Sequence, residues 1–120
     1  MKRLTPQEES IMLHVWEIGE CAITPVLKRM AEPKPPYTTV ASIFDNLVDK
    51  KYLIKTREGN KKMFKPNISQ TTYKRYFLSQ LVRSYFDDSY KEMVSFFAED
   101  ESITQEELTE IIKLIEKNRK

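Results

Sequence analysis

The sequence predicts a mainly α-helical fold with one small β-hairpin. Three observations carry that prediction. Apolar residues recur at i, i+3, i+4, i+7 spacing through much of the chain, two short extended runs flank Gly59-Asn60, and helix-starting and helix-ending residues punctuate the rest. With 120 residues, 40% of them hydrophobic, there is material for one compact core and hardly for two. A second element, if present, must lean on something else.

The first helix opens at Leu4-Thr5-Pro6-Gln7-Glu8: Thr5 can cap, Pro6 suits the first helical position, and Glu8 completes a capping box. Ile11, Val15 and Ile18, with Met12 and Trp16, give it a broad apolar face, and Gly19 ends it. Ile23-Thr24-Pro25 repeats the starting device for a short second helix through Val26, Leu27 and Met30, which the prolines of "EPKPP" stop. "PYTTVASIFDNL" follows as a third, with Val40, Ile43, Phe44 and Leu47 on its buried stripe. Three short helices with the third entered abruptly have the order of a helix-turn-helix domain.

The opposite face of that third helix carries Thr38, Ala41, Ser42, Asp45 and Asn46, short side chains where a solvated helix would usually carry Lys and Glu. Short donors and acceptors let a helix approach base edges in a major groove, and free N–H groups in the first turn, at Thr38 and Thr39, suit a phosphate. Asp45 is unfavourable near DNA unless it accepts from a cytosine amino group or pairs with Lys or Arg. Next come the runs Tyr52 to Thr56 and Lys62 to Lys65 around "REGNK", where Gly59-Asn60 supplies the positive-φ residues of a hairpin. Between Lys50 and Lys65 the basic residues Lys50, Lys51, Lys55, Arg57, Lys61, Lys62 and Lys65 are opposed only by Glu58. Lysine on an edge strand is also ordinary protection against aggregation, but beside an uncharged polar helix face the hairpin reads as a wing gripping phosphate.

From Ser69 a long helix places Tyr73, Tyr76, Phe77, Leu81, Val82 and Tyr85 on a wide apolar face, broken near Asp87-Asp88-Ser89. A shorter apolar segment, Met93 to Ala98, follows within "EMVSFFAEDES", a stretch expected to join two helices. The last helix starts at Thr104, whose capping box with Glu107 and whose staple of Ile103 on Leu108 define it well, and it carries the stripe Leu108, Ile111, Ile112, Ile115. So many apolar faces in so short a stretch call for a second copy of the chain, a symmetric dimer. Charge divides the same way. Residues 1–66 hold 12 basic and 8 acidic side chains, residues 67–120 hold 8 and 10.

Other chemistries find little support. Cys21 is the one cysteine, so no disulfide forms within the chain and no Cys/His cluster offers zinc, and His14 has no second ligand. Asp87-Asp88 and Glu106-Glu107 suit capping and dipole complementarity better than acid-base catalysis. With Gly19 and Gly59 alone there is no phosphate-binding glycine loop or nucleophile elbow, and no cofactor is expected. The tyrosines and phenylalanines of the long helix have core spacing, in preference to a stacking surface for single strands. "MKRLTPQEES" lacks a signal peptide's apolar region and no run reaches the length of a membrane span, so a soluble cytoplasmic protein is expected.

"LTPQEESIMLHVW", "YTTVASIFDNLVDKKYL" and "KTREGNKKMFKP" together resemble the penicillinase-repressor family, also called BlaI/MecI/CopY. Glu9, Met12 and Trp16 are similar to its first helix, Thr39-Val40 and Leu47 to its recognition helix, and Lys50-Lys51-Tyr52-Leu53 to its exit into the wing. The stretch from Phe77 to Lys117, with its Phe97-Ala98 step, is similar to its dimerisation region. The resemblance implies a winged helix-turn-helix DNA-binding domain over 1–66 and a C-terminal helical dimerisation region over 67–120. It implies a homodimeric repressor on an inverted-repeat operator in double-stranded DNA, of β-lactam or cell-wall stress genes, and no enzyme. Many members are cut in the dimerisation region after a membrane sensor-protease responds, commonly after an Asn; the matching position here is Phe96-Phe97, where Phe96 replaces that Asn, and the alternative is that the two rings are simply buried dimer core. No cysteine follows Cys21, so copper sensing is not implied.

The residues expected at DNA are Thr38, Thr39, Ser42, Asn46, Lys50, Arg57, Lys61 and Lys62. Those expected at the dimer interface are Tyr73, Phe77, Leu81, Phe97, Leu108, Ile111, Ile112 and Ile115. In the first domain two positions depart from the family pattern: Asn46 stands where an Arg is common, and Lys51 replaces the usual Gly at the helix exit. A rival reading is a winged-helix module whose wing lysines meet an acidic protein and bind no DNA.

Overall fold

A computed structural model describes residues 1–118 and orders them as α1 (Pro6–Ile18), α2 (Ile23–Arg29), α3 (Tyr37–Asp49), β1 (Leu53–Glu58), β2 (Lys61–Pro66), α4 (Gln70–Tyr85), α5 (Tyr90–Glu99) and α6 (Gln105–Asn118). The predicted class holds: mainly α, with one antiparallel hairpin. Two compact units divide the chain, Met1–Phe77 and the stretch from Leu78 onward, with the division inside α4.

In the first unit α1 starts as its sequence dictates. The Glu8 N–H donates to Thr5 Oγ1 (3.2 Å) and the Thr5 N–H donates to Glu8 Oε1 (2.8 Å), with Pro6 in the first turn where its missing N–H would be an orphan in any case. Ile11, Met12 and Val15 are fully buried, whereas Ile18, the last helical residue, is exposed and leaves the expected buried face. The start of α2 also differs. Ala22, with no side-chain cap, precedes the helix, so Thr24 does not cap but lies inside the first turn. Pro25 is tolerated there because the first N–H groups of any helix lack an intrahelical acceptor. Val40, Ile43, Phe44 and Leu47 of α3 close over the α1 and α2 residues, with Leu53 and Phe64 of the hairpin completing the core. Tyr52 and Tyr73 belong to the same cluster.

The exit from α3 is a Schellman motif: the Lys51 N–H donates to Val48 O and the Tyr52 N–H to Leu47 O, both at 2.9 Å. Lys51 takes φ 68°, the left-handed conformation that a glycine adopts without penalty. The Gly-to-Lys departure therefore leaves the turn intact at the expense of local strain. Asn67 clamps it, donating its side-chain N–H to Lys51 O (2.9 Å) and its backbone N–H to Tyr52 O (2.8 Å).

The hairpin strands run in register from Leu53 opposite Pro66 to Glu58 opposite Lys61, longer than the sequence suggests, with a two-residue turn at Gly59-Asn60. Gly59 alone of that pair has positive φ (63°), the requirement of a type II′ turn, so Asn60 does not share the role expected of it. Cys21 adds a bridge that spacing did not reveal. It exchanges both backbone hydrogen bonds with Phe64 (2.8 and 2.9 Å), tying the α1–α2 loop to the base of β2.

In the second unit α4 ends at Tyr85, after which Asp87 and Asp88 both have positive φ and the Asp88 N–H donates to Val82 O (3.0 Å). Ser89 caps α5 through the Glu92 N–H (3.1 Å). The stretch expected to join two helices is mostly α5 itself; only Asp100, Glu101 and Ser102 of it lie outside. The α6 capping box forms as read, with Thr104 N–H to Glu107 Oε1 at 2.9 Å and Glu107 N–H to Thr104 Oγ1 at 3.1 Å. Among the described residues of this unit Val82 is the only hydrophobic side chain counted as buried, and α5 and α6 contribute none.

Candidate nucleic-acid interface

The amphipathic period of α3 puts Thr38, Ser42, Asp45 and Asn46 on its exposed side, opposite the Val40–Phe44–Leu47 stripe that fixes the helix to the core. Thr39 is exposed at the flank of this face, where with Pro6, Gln7, Ser10, Met30, Pro35 and Ile43 it lines a cleft of about 240 Å³. Pro36 precedes the helix and offers no capping side chain. The Thr39 N–H turns back to Pro36 O (3.1 Å), and no group among the described residues accepts from the Tyr37 or Thr38 N–H. The positive end of α3 is thus open beside its polar face.

The register of the hairpin sorts the basic residues by face, since residues directly opposite share one side of the ladder. Arg57 lies opposite Lys62, a like-charged pair that disfavours the free hairpin, while Lys61 lies opposite Glu58 on the other face. All four are exposed, and the ion pairs among the described residues are Arg29–Glu17 and Lys50–Glu8, so no wing cation is held in a close ion pair, and Lys61 alone of the turn's three cations faces a carboxylate across the ladder. Thr56 holds the wing's middle, donating from Oγ1 to Glu20 Oε2 (2.6 Å).

Lys50 is placed apart from these. Its ammonium donates to Glu8 Oε1 at 2.6 Å, so the charge is engaged by α1. Burial pushes the Glu8 carboxyl up, but the Lys50 hydrogen bond, the Thr5 N–H and the Lys50 charge outweigh it and hold the group below the usual carboxylate range. The capping box made Glu8 legible as a helix-start residue; its ion pair 42 residues away was not.

Tyr73 and Phe77, expected at a dimer interface, pack within the first unit. Tyr73 is 5% exposed, lies 5.4 Å from the Trp16 ring and 5.8 Å from the Tyr52 ring, and donates to Glu9 Oε2 (2.7 Å), so its burial needs no second chain. Phe77 stacks on Tyr73 and receives the Arg3 guanidinium over its ring at 5.4 Å. The Trp16 indole N–H donates to Ile68 O (2.8 Å). Burial, with the nearby Tyr76 and Glu8, pushes the Tyr52 hydroxyl up to about 12, and burial with the Glu9 contact raises Tyr73 further. Tyr52 donates to Lys2 O, which draws the N-terminal arm onto the same cluster. Burial also raises the Cys21 thiol, consistent with a packing role.

In the second unit Leu81 and Leu108 are part-buried, whereas Phe97, Ile111, Ile112 and Ile115 are exposed. Phe96 and Phe97 sit inside α5, and their carbonyls accept from the Asp100 N–H (3.2 Å) and the Ser102 N–H (2.9 Å). No group of His, Cys, Asp and Glu among the described residues is arranged to hold a metal, and no described helix is long and apolar enough to cross a membrane.

A helix-turn-helix followed by a hairpin wing, with short polar side chains and one carboxylate on the open face of α3 and a predominantly basic pair of strands, defines the class: a winged-helix DNA-binding protein. Two solved structures of one regulator share the fold. An organohalide-sensing transcriptional regulator, RdhR, in its ligand-free form is similar with 19% identity and a TM-score of 0.50 over 96% of this chain, and its 2,4-dichlorophenol-bound form matches with 18% identity and the same TM-score. This chain spans 62% of the length of that regulator. A Bordetella bronchiseptica regulator, BpsR, matches with a TM-score of 0.48, 18% identity, and coverage of 97% of this chain and 75% of its own. No curated protein matches the sequence. Residues 4–117 match the penicillinase repressor family, and the chain belongs to it.

Proposed function

We propose that the protein is a cytoplasmic homodimer that represses transcription from an inverted-repeat operator. The observation that carries this reading is the join of the capless, polar α3 face to a wing whose cations enter no close ion pair among the described residues. Thr38, Ser42 and Asn46 read base edges in the major groove, with Thr39 at the margin, while Arg57 and Lys62 on one wing face and Lys61 on the other meet phosphates. Lys50 supports the helix exit through Glu8 and acts on DNA only through that position.

The dimer interface on this reading is built from Leu81, Phe97, Leu108, Ile111, Ile112 and Ile115, and the family's sensor-protease route supplies release by a cut near Phe96-Phe97. Because that bond lies in a hydrogen-bonded helix, the cut requires α5 to open first. The regulated genes on this reading answer to β-lactams or cell-wall stress.

The test is binding to a palindromic duplex across a salt series. Affinity should fall with log salt, and Arg57→Ala and Lys62→Ala should each lower the slope by about one. Capture of an acidic protein by the wing, with no salt-dependent duplex binding, would favour the protein-interaction module instead.

A further inference from the structure

Asp45 is the residue of the α3 reading face that folding does not account for. It is exposed, three residues beyond Ser42 and adjacent to Asn46, and it takes part in neither ion pair found among the described residues. Lys50, the first basic residue after it along the chain, is held by Glu8 at 2.6 Å. Asp45 also has a like charge, Asp49, one turn on, and no basic residue in the last turn of the helix. A bound duplex adds the repulsion of its phosphates. A carboxylate set against all of these gains from a donor presented by the ligand itself.

We propose that Asp45 specifies a cytosine in each operator half-site by accepting a hydrogen bond from its exocyclic amino group. This rests on α3 being the major-groove helix. In that groove cytosine presents its N4 amino group as a donor, whereas the adenine amino group stands beside the N7 acceptor, which repels a carboxylate. Guanine and thymine present acceptors and a methyl group. Asp45 thus supplies a base choice that Thr38, Ser42 and Asn46, which both donate and accept, leave open.

The experiment is selection from a randomised duplex library with the full chain, its Asp45→Ala variant and its Asp45→Asn variant. The parent should enrich one cytosine per half-site and disfavour other bases there by about 5- to 150-fold. Asp45→Ala should keep the rest of the motif and lose preference at that position alone. Asp45→Asn should move the preference to adenine, whose N6 and N7 an amide satisfies together. Identical motifs from all three proteins would overturn the proposal, even if the alanine variant bound every duplex more tightly, since Asp45 would then only repel phosphate. A parent that enriches no motif would overturn the major-groove reading itself, and this inference with it.

Discussion

At the scale of single residues, the chain ends its helices with little glycine. Lys51 after α3 and Glu101 after α5 both close Schellman-type turns at positive φ, 68° and 59°. A side chain in that conformation crowds the following carbonyl at roughly 1–2 kcal/mol, so Lys51→Gly should stabilise the protein by about 1 kcal/mol, read as a higher urea midpoint with unchanged slope. The turn already has the shape glycine would give it, so any loss of operator affinity should come from the missing Lys51 charge and vanish at high salt. Glu8 and Lys50 make a second residue-scale prediction. Lys50→Met leaves a carboxylate that is 5% exposed without its cation, which should destabilise by about 1–3 kcal/mol. Because the folded Glu8 value is lowered, its contribution is fully present above the ordinary carboxylate range and is lost as pH falls through the lowered value. The Met variant should therefore lose part of the parent's stability difference between neutral and acid pH, measured by thermal unfolding across that window.

At the scale of elements, what was legible in the sequence was local. The capping boxes of α1 and α6 lie within four residues, and the two faces of α3 follow from one helical period, so both were readable. The capless start of α2 is masked in the sequence because Thr24-Pro25 imitates a cap, and "EMVSFFAEDES" has the composition of a connector because Ser89, outside it, starts the helix. Partners far apart in sequence left no periodic trace: Cys21 with Phe64, Glu8 with Lys50, Trp16 with Ile68 and Glu9 with Tyr73. The candidate site divides likewise, its helix face readable and the engagement of Lys50 not. The Tyr73 contacts make a prediction for fragments. One ending at Pro66, the boundary the sequence suggests, removes a buried aromatic from Trp16 and Tyr52 and the acceptor of the Trp16 indole N–H. That loss is comparable with truncating a core aromatic, about 3–5 kcal/mol, a large part of a small domain's stability. A fragment of residues 1–85, keeping all of α4, should unfold cooperatively, whereas 1–66 should show a weak, broad transition by circular dichroism.

At the scale of the whole molecule, the unequal burial of the two units is what asks for a partner. The first unit has a complete core of its own, while Ile112 and Ile115 of α6 are 54% and 58% exposed and Phe97 of α5 is 39% exposed. A helix with that stripe and no buried residue gains little by folding against its own chain. A symmetric second copy would remove the stripe from water and, on the proposed reading, hold two recognition helices about one DNA turn apart, roughly 34–36 Å, or a multiple of it. The double variant Ile112→Glu with Ile115→Glu tests this without touching the first unit, because both side chains are already open to solvent in the single chain. Sedimentation should shift to the monomer, binding to an isolated half-site should be unchanged, and affinity for the palindrome should fall by about 100-fold or more as the second binding event stops being intramolecular. A variant that sediments like its parent would take the α6 stripe out of the interface, and operator recognition would then need another source of pairing.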